Sequence, residues 1–471
     1  MSKVAAPSVD LGLVRKHNRP GPRYTSYPTA LQFREDADAR RLVAAAADER
    51  LSAALSLYAL SPPPPGPLSL YFHLPFCASL CWFCGCNKVI TTDTARAEVY
   101  LDALVREMDL FPRAGVPDRE VVQLHFGGGT PNFLSPAQIR RLGAELKKRF
   151  AFAADAECSV ELDPRFLTRD QVCAFRDIGM TRASFGIQDV DPAVQRAVHR
   201  VQSDECNVQA FEWLRGEGFE SVNVDLIYGL PGQTPASYER TLARVLQYGP
   251  DRFAVFSYAH VPWMVPAQKI LEKNRLPDPG DKLAMLKLVI ETLTAAGYIF
   301  IGMDHFARAG DELVRALESR TLQRNFQGYS TRGGTEIRGF GVSSISQTAR
   351  TYRQNRKSLE QYYEDLAAGR LPVERGLELS DDDVLRRHII MRLMCDFRLE
   401  LAAVEEVFSI RFAEKFAASL AALGEFAADG LVDLRDDVIT VTEAGRLFIR
   451  NIAMCFDAYV RPGEGRHSKT I

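Results

Sequence analysis

The segment Cys77-Ala-Ser-Leu-Cys81-Trp-Phe-Cys84-Gly-Cys86 directly follows the apolar run LSLYFHL at 68–74. Four of the nine cysteines crowd into this segment, whereas the other five are scattered singly along the chain. An odd number of cysteines in a long chain argues against a disulfide framework, and the scattered five are typical of small buried apolar residues. The cluster of four therefore needs an explanation of its own.

Closely spaced cysteines on an irregular loop are typical ligands of an iron–sulfur cluster, because a regular helix or strand would point the sulfur atoms apart. The specific part of the pattern is the gap of three residues between Cys77 and Cys81, followed by the gap of two before Cys84. Three thiolates on a 4Fe–4S cluster leave one iron without a protein ligand, and an open metal position is typical of a reactive site. We therefore predict a 4Fe–4S cluster on Cys77, Cys81 and Cys84.

The alternative is a structural zinc site that uses all four cysteines, including Cys86. Structural zinc usually draws on two separated ligand pairs, and a run of closely spaced cysteines fits that arrangement poorly. The spacing favours the iron–sulfur cluster over zinc.

Outward from the cysteine loop, short apolar runs alternate with amphipathic helical patterns. The runs are LSLYFHL (68–74), VVQLHF (121–126), ECSVEL (157–162), RASFGI (182–187), SVNVDLI (221–227) and FAVFSYA (253–259). Helix start signals lie between them at Ser135-Pro136, Thr168-Arg169-Asp170 and Ser203-Asp204, and Gly179 is a stop signal. Six β/α units in a row indicate an α/β fold with a parallel sheet curved into an open partial (β/α)6 barrel. The regular alternation weakens from about 270 to 360.

The chain divides into three predicted parts. Residues 1–64 form an N-terminal extension with an alanine-rich helical run at 38–56, and SPPPPGP at 61–67 reads as a linker. Residues 65–360 form the barrel with its elaborations. Residues 361–471 form a small, mostly helical, winged-helix-like domain.

The C-terminal pattern contains helices at LRRHIIMRLM, ELAAVEEVF and RFAEKFAASLAAL, a hairpin turning at Arg435-Asp436-Asp437, and a final helix over RLFIRNIAMCFDAY. A winged-helix shape can bind DNA, but the helix before the hairpin is mostly alanine, leucine and phenylalanine and lacks a basic face. We therefore expect this domain to pack against the barrel.

Composition excludes several classes of function. Hydrophobic residues make up 46% of the 471 residues and charged residues 25%, which is ordinary for a soluble protein. A formal net charge of −2 gives no argument for nucleic acid or an anionic membrane. Neither an apolar secretory signal nor a membrane-spanning stretch is visible, so we expect a cytoplasmic protein.

The cysteine spacing resembles that of the radical SAM superfamily, whose members cleave S-adenosylmethionine (SAM). Within it, LYFHLPFCASLCWFCGCNK and RYTSYPTA (23–30) resemble the oxygen-independent coproporphyrinogen III oxidases, also called coproporphyrinogen III dehydrogenases. Further matching stretches are HFGGGTPNFL (125–134), VELDPR (160–165), FGIQD (185–189), NVDLIYGLPGQT (223–234), FSYAHVP (256–262), GMDHFA (302–307) and NFQGYST (325–331). The resemblance runs from about residue 19 to about 460 and implies a radical SAM barrel with a 4Fe–4S cluster and two bound SAM molecules.

The resemblance also implies roles for individual residues. The first SAM would contact Tyr71, Gly128, Glu161 and Ile345. The second would contact Phe83, Gly129, Thr130, Gln188, Arg200, Asp225 and Ala259. Tyr71, His73 and Cys86 are the predicted catalytic residues near the substrate, and Cys86 is not expected to bind iron.

The strand pattern supports part of this assignment separately. Tyr71, Glu161, Gln188, Asp225 and Ala259 all lie at or just after the C-terminal end of a predicted strand, where barrel enzymes place their active sites. Structural alternatives remain open for the other features. The glycines of GGGTP suit a tight turn, the two acids suit solvated strand ends, His73 suits a satisfied core histidine, and Arg200 suits a surface helix.

The activity implied by the resemblance is oxidation of two propionate side chains of coproporphyrinogen III to vinyl groups, giving protoporphyrinogen IX in haem biosynthesis. The implied protein is a monomer, with a flavodoxin-type electron donor and an electron acceptor that the sequence does not name. Arg19, Arg23, Tyr24 and Tyr27 are predicted to form a lid over the substrate pocket. The alternative function is a radical-SAM-like haem chaperone, but Cys86 and the RYTSYPTA stretch favour the oxidase.

Overall fold

The computed structural model describes residues 10–35, 66–111, 119–460 and 468–470. The predicted helical run at 38–56 and most of the predicted linker at 61–67 lie outside these residues. The first eight strands are β1 (Leu68–Leu74), β2 (Phe76–Cys77), β3 (Val89–Ile90), β4 (Val121–Gly128), β5 (Phe152–Leu162), β6 (Arg182–Gln188), β7 (Ser221–Tyr228) and β8 (Arg252–Ser257). The later strands are β9 (Tyr298–Gly302), β10 (His305–Arg308), β11 (Gln323–Asn325), β12 (Gly328–Ser330), β13 (Glu336–Phe340), β14 (Ile345–Gln347), β15 (Thr351–Asn355), β16 (Val373–Glu378), β17 (Arg398–Glu400), β18 (Val432–Leu434) and β19 (Val438–Val441).

The helices lie between these strands and at both ends of the described chain. They are α1 (Leu11–His17), α2 (Ala95–Leu110), α3 (Pro136–Arg149), α4 (Arg169–Ile178), α5 (Pro192–Ala197), α6 (Asp204–Gly216), α7 (Pro235–Gln247), α8 (Pro279–Ala295), α9 (Glu312–Glu318), α10 (Leu359–Ala367), α11 (Asp381–Asp396), α12 (Leu401–Phe408), α13 (Phe412–Lys415), α14 (Ala417–Ala428) and α15 (Ile449–Met454).

The central sheet has 12 strands in the order β16-β15-β14-β13-β1-β4-β5-β6-β7-β8-β10-β9. The six predicted strands are β1 and β4–β8, and each pairs in parallel with its neighbour. The prediction of an open parallel β/α barrel is therefore confirmed. The sheet extends further than predicted, because β13 adds in parallel to β1 while β14–β16 and β9–β10 add antiparallel strands at the two edges.

Helix termini follow the predicted sequence signals. α3 begins after Ser135, whose side chain and that of Gln138 form a capping box, and α4 has the same device in Thr168 and Gln171. Gly179 ends α4 in the left-handed conformation that glycine adopts without steric cost. Because β4–β7 are parallel, their carboxyl ends all lie at the same edge of the sheet.

The C-terminal part packs around a second hydrophobic core, which it shares with Tyr24 and Tyr27 of the N-terminal segment and with apolar residues of α8, β9, β10 and α9. The hairpin predicted at 435–437 connects β18 and β19, and β17 adds a third strand that the sequence pattern did not predict. The single helix predicted over 411–423 is interrupted at Phe416, whose ring is buried against Phe456 at 5.6 Å between ring centroids. A small sheet with helices is compatible with a winged-helix domain, and both this assignment and the three-part division stay predictions. In the described ranges no helix is both long and apolar enough to cross a membrane.

Candidate active site

A cavity of about 430 Å³ lies between the cysteine loop and the carboxyl ends of β4–β7. All four clustered cysteines line it, so the loop and the barrel enclose one common site. Eight further predicted site residues line the same cavity: Phe83, Gly128, Gly129, Thr130, Glu161, Gln188, Arg200 and Asp225.

The cysteine loop is held in place by backbone pairing at both of its ends. β2, which carries Cys77, pairs in parallel with β3 just beyond the loop. The Thr130 hydroxyl donates to the Cys77 sulfur at 3.3 Å, and the Lys88 ammonium donates to the Cys84 carbonyl at 2.8 Å. These contacts between protein groups hold the shape of the loop, and the Thr130 contact joins it to the barrel.

Two guanidinium groups contact the sulfur of Cys81. Arg165 Nη2 lies 3.6 Å and Arg200 Nη1 lies 3.5 Å from this atom. Both arginines also donate to the Asp163 carboxylate, at 2.7 Å and 3.1 Å, which fixes their orientation. The Asp163 backbone is held in turn by the Asn132 side chain. A thiolate at Cys81 would thus be stabilised by two cations that are themselves positioned by a shared acid.

The thiols of Cys84 and Cys86 contact each other, and this contact shifts their pKa values in opposite directions. A hydrogen bond from the Cys86 thiol, the largest influence, lowers the pKa of Cys84 to about 6, and the same contact raises the pKa of Cys86. That Cys84 binds metal while Cys86 does not stays a prediction, since thiolates are the metal-binding form of cysteine and both thiols face the cavity.

Tyr71 and His73 lie on one face of β1, as the sequence alternation predicts. The Tyr71 hydroxyl lies 3.1 Å from His73 Nδ1, and His73 Nε2 donates to the Asn87 carbonyl at 2.8 Å. Burial lowers the pKa of His73, so the neutral ring accepts from Tyr71 and donates to the backbone. Tyr71 also stacks on His125, with ring centroids 5.8 Å apart. Neither Tyr71 nor His73 is among the cavity-lining residues; they stand directly behind the Gly128 turn.

Glu161 connects two neighbouring strands at the cavity wall. Its carboxylate accepts from the Gly128 backbone N–H at 3.1 Å and faces His125 Nε2 at 3.3 Å. Burial alone would raise the pKa of Glu161, but the His125 and Gly128 contacts keep it below its usual value. An ionised carboxylate at this point suits an ammonium group or a ribose hydroxyl.

Asp225 and Gln188 have environments unlike that of Glu161. Burial, followed by the charge of Glu161, raises the pKa of Asp225 to about 7, although Ser184 and Asn223 donate to it at 3.1 Å and 2.8 Å. The Gln188 Oε1 atom is buried and has no hydrogen-bond partner in the described protein, and its backbone adopts a positive φ of 68°. A buried, unpaired amide oxygen is costly, so a ligand donor at this position would relieve it.

Ala259 and Ile345 lie outside the cavity lining. The Ala259 carbonyl accepts from Gln268 Nε2 at 3.3 Å, and the same amide donates to the Phe83 carbonyl at 3.0 Å, which connects Ala259 to the cysteine loop. Ile345 is on β14, and its backbone lies close to Gly339, the β13 partner of Tyr71. Their predicted SAM contacts are untested by this geometry.

The sequence analysis did not identify Arg165, Asp163 or His125 as site residues. Asp163 and Arg165 lie inside the VELDPR stretch, and His125 lies just before the glycines of GGGTP. Their closeness in sequence to Glu161 and Gly128 is the only feature of the sequence that points to them. Their contacts with Cys81 and Glu161 depend on strands that are far apart in the chain.

The four predicted lid residues pack against the C-terminal part and the edge of the sheet. Tyr24 donates to Asp457 at 2.8 Å and Tyr27 accepts from the Ala458 backbone, and both rings are almost fully buried. Arg23 forms an ion pair with Asp304, and Arg19 lies over the Phe426 ring. Whether this segment covers the substrate stays a prediction.

The family model described as Radical SAM superfamily matches residues 71–245, and the model described as HemN C-terminal domain matches residues 379–448. An oxygen-independent coproporphyrinogen III oxidase from Salmonella typhimurium is 48% identical over 453 residues, covering 96% of both chains. The enzyme of the same name from Escherichia coli K12 is 47% identical with the same coverage. The solved structure of coproporphyrinogen III oxidase (HemN) from Escherichia coli superposes with a TM-score of 0.89 at 45% identity, covering 97% of this chain and 100% of that one.

The chain belongs to the oxygen-independent coproporphyrinogen III oxidases. Membership of this radical SAM family assigns it a 4Fe–4S cluster and SAM as cofactors. The donor set fits both groups, since the sulfurs of Cys77, Cys81 and Cys84 face one cavity, and the Glu161 carboxylate and the unpaired Gln188 Oε1 atom lie along the same cavity. The naming of these relatives as oxidases favours the oxidase over the haem-chaperone alternative.

Proposed function

We propose that this chain oxidatively decarboxylates two propionate side chains of coproporphyrinogen III to vinyl groups without oxygen, giving protoporphyrinogen IX. The observation that supports this most directly is the shared cavity, in which the three-cysteine loop faces the polar carboxyl ends of four strands. Full-length identity of 48% to an enzyme of that name supports the substrate.

Cys77, Cys81 and Cys84 would hold the cluster, and Cys86 would remain unligated beside it. When bound, the cluster and SAM would supply the radical chemistry that removes a hydrogen atom from the β-carbon of a propionate. The substrate then loses carbon dioxide and gives one electron to an acceptor that the sequence does not identify. Each propionate passes through the same sequence once.

We assign two SAM molecules to the cavity, in keeping with the resemblance. The ionised Glu161 suits the first, and the unpaired Gln188 amide together with Asp225 suits the second. Equilibrium dialysis of the cluster-loaded protein tests this count, with two equivalents expected and one equivalent contradicting it. Gln188→Ala is expected to remove one equivalent only.

The electron donor is proposed to be a flavodoxin-type protein that docks beside the cysteine loop. Phe166 and Val201 are exposed by 43% and 63%, and each directly follows an arginine that contacts the Cys81 sulfur. Val201→Glu is expected to slow reduction of the cluster by reduced flavodoxin but not by dithionite. Val99→Glu, on the exposed face of α2, is the matched control. Equal rates for the Val201 variant and the wild type with flavodoxin would contradict this docking site.

A cytoplasmic location is proposed because the cysteines form no disulfide bonds with one another. All nine are free in the structure, as expected for a reducing compartment. A monomer, implied by the resemblance, is tested by light scattering of the purified chain.

The function is tested anaerobically. The protein is reconstituted with iron and sulfide, reduced, and given SAM and coproporphyrinogen III, while protoporphyrinogen IX and 5′-deoxyadenosine are measured together. Both products are expected, and both are expected to disappear in Cys81→Ser but to persist in Cys173→Ser, which changes a cysteine of α4. SAM cleavage without a porphyrinogen product would contradict the substrate, and no cleavage would contradict the radical chemistry.

A further inference from the structure

One buried side chain joins the cysteine loop to the segment that follows β8. Gln268 lies on the 3-10 helix Pro266–Lys273 of that segment and is only 2% exposed. Its Nε2 atom donates to the Phe83 carbonyl at 3.0 Å and to the Ala259 carbonyl at 3.3 Å. Its Oε1 atom accepts from the Val261 backbone N–H at 2.6 Å. Together these three hydrogen bonds form a bridge between two parts of the chain that are far apart in sequence.

The bridge requires the chemistry of a carboxamide. The Phe83 and Ala259 carbonyls need donors, whereas the Val261 N–H needs an acceptor. Among neutral side chains, only asparagine and glutamine combine two N–H donors on one nitrogen with a carbonyl acceptor. All of these positions are used in Gln268, and because the side chain is almost fully buried, water does not readily replace a hydrogen bond that is lost. The bridge therefore fixes the separation of the two backbone segments.

Apolar packing joins the same two parts of the chain. Tyr258 and Leu271 belong to a small buried cluster, and Trp82 and Phe83 of the cysteine loop pack against it. The Lys282 ammonium of α8 donates to the Tyr258 carbonyl at 3.0 Å, which ties the segment after β8 to the barrel. The loop therefore rests on a fixed support, and Gln268 supplies a directional contact between the two.

Phe83 is the point at which the bridge reaches the candidate site. Its side chain lines the cavity, although Gln268 itself does not. Gln188 and Asp225, to which we assign the second SAM, line the same cavity. Because Gln268 holds the Phe83 backbone, it sets the position of this side chain without reaching the cavity.

We infer that Gln268 is a positioning residue for the second SAM, because it holds Phe83 and Ala259 at a fixed separation. This inference rests on the proposed function, in which two SAM molecules bind and these two residues are predicted contacts of the second. The cysteine loop has separate anchors in Thr130 and Lys88, so the cluster does not depend on Gln268. Loss of the bridge therefore weakens the second SAM and leaves the first SAM and the cluster in place.

The test measures SAM binding to the cluster-loaded full chain by equilibrium dialysis. Gln268→Met keeps the length of the side chain and removes the amide. The variant is expected to bind the first equivalent of SAM like the wild type and the second about tenfold more weakly, which is about the net free energy of one hydrogen bond. Iron and sulfide content, and the EPR spectrum of the reduced cluster with one equivalent of SAM, are expected to match those of the wild type.

Gln171→Met is the matched control, since Gln171 is a buried glutamine with the same pattern of hydrogen bonds. Its amide donates to the Asn132 and Leu134 carbonyls at 2.7 Å and 2.8 Å, and its oxygen accepts from the Thr168 backbone at 3.0 Å. None of these four residues is among those that line the cavity. This variant is expected to lose stability but to bind both equivalents of SAM like the wild type.

A second variant covers the case in which Gln268→Met does not fold. Gln268→Asn keeps the amide but is one methylene shorter, so it cannot reach both carbonyls, and the same selective loss of the second equivalent is expected.

The possible results separate the inference from the proposed function. Selective weakening of the second equivalent supports the inference. Unchanged affinity for both equivalents, an equal loss of both, a loss of iron, or the same selective loss in Gln171→Met would overturn it and leave the proposed function intact. A wild-type chain that binds only one equivalent would contradict the proposed pair of SAM molecules and the inference with it.

Discussion

The Nη2 atom of Arg165 lies 3.6 Å from the sulfur of Cys81, and the same side chain makes a bidentate contact with Asp163, from Nε to Oδ1 and from Nη2 to Oδ2. Hydrogen bonds and positive charge at a cluster sulfur stabilise the reduced cluster, because reduction adds negative charge. The acid that orients Arg165 also orients Arg200, so both cations are fixed before the cluster is reduced. The reduction potential of the cluster is therefore expected to depend on Arg165 and Arg200, which do not bind iron.

Arg165→Gln is expected to lower the reduction potential of the cluster. Loss of one cationic donor corresponds to about a tenfold smaller ratio of reduced to oxidised cluster at a fixed potential, or about 59 mV for one electron. A spectroscopic redox titration of the reconstituted protein measures it, and iron content is expected to stay at the wild-type level. Arg169→Gln, which changes a 67% exposed arginine, should show no shift. An unchanged potential in Arg165→Gln would mean that its role is structural.

Cys86→Ser is expected to retain the full complement of iron and sulfide while losing product formation. The predicted cluster ligands are Cys77, Cys81 and Cys84, so replacing Cys86, whose thiol donates to Cys84, is expected to leave all three ligands intact. Iron and sulfide analysis beside the product assay distinguishes this outcome. A Cys86→Ser protein that loses iron as Cys84→Ser does would assign Cys86 as a ligand instead.

The sequence predicted the strands in which buried apolar residues recur at every second position. β6 (RASFGIQ) and β7 (SVNVDLIY) show this period of two, and the polar residues between the buried ones, such as Gln188 and Asp225, line the cavity. Some of the strands it missed are polar in sequence, although the buried β9 (YIFIG) is apolar and was missed as well. β15 reads TYRQN although all five residues are buried, and β16 reads VERGLE, because their arginine and glutamine side chains are satisfied by tertiary contacts such as that of Gln354 with Arg375.

Some residues of the site could also be predicted from the alternation of apolar and polar residues. This alternation locates the ends of the strands, and Glu161 and Asp225 lie near such ends. Arg165 does not follow from any local pattern, because the Cys81 sulfur that it contacts lies 84 residues away in the chain.

Gly128→Ala is expected to lose SAM binding and to destabilise the fold by about 2 kcal/mol. The φ of Gly128 is 113°, which strains any other residue, and an added Cβ would lie 2.6 Å from the buried His73 ring. Calorimetric titration with SAM and thermal unfolding measure the two effects. Gly424→Ala is the matched control, because this exposed helical glycine meets nothing within 4 Å and alanine there is expected to add about 1 kcal/mol of stability. SAM affinity that survives Gly128→Ala would remove the glycine turn from the proposed site.

Glu107 of α2 is a fully buried acid whose titration should make stability depend on pH. Its carboxylate accepts from the Gly341 backbone at 2.7 Å, Tyr362 at 2.7 Å and Asn355 at 2.6 Å, yet burial raises its pKa to about 7. The folded chain therefore holds this proton to a higher pH than the unfolded chain does.

The stability that Glu107 contributes is consequently present below about pH 4.5 and is lost as the pH rises toward 7, by up to about 3 kcal/mol. The glutamine in Glu107→Gln cannot ionise. The unfolding temperature of this variant minus that of the wild type is therefore expected to increase between pH 5 and pH 8. Thermal unfolding of both proteins across this range measures the difference, with Glu98→Gln on the exposed face of the same helix as the control. A difference that stays constant or shrinks as the pH rises would show that the three donors keep Glu107 ionised throughout, with the hydrogen bonds outweighing the cost of burial.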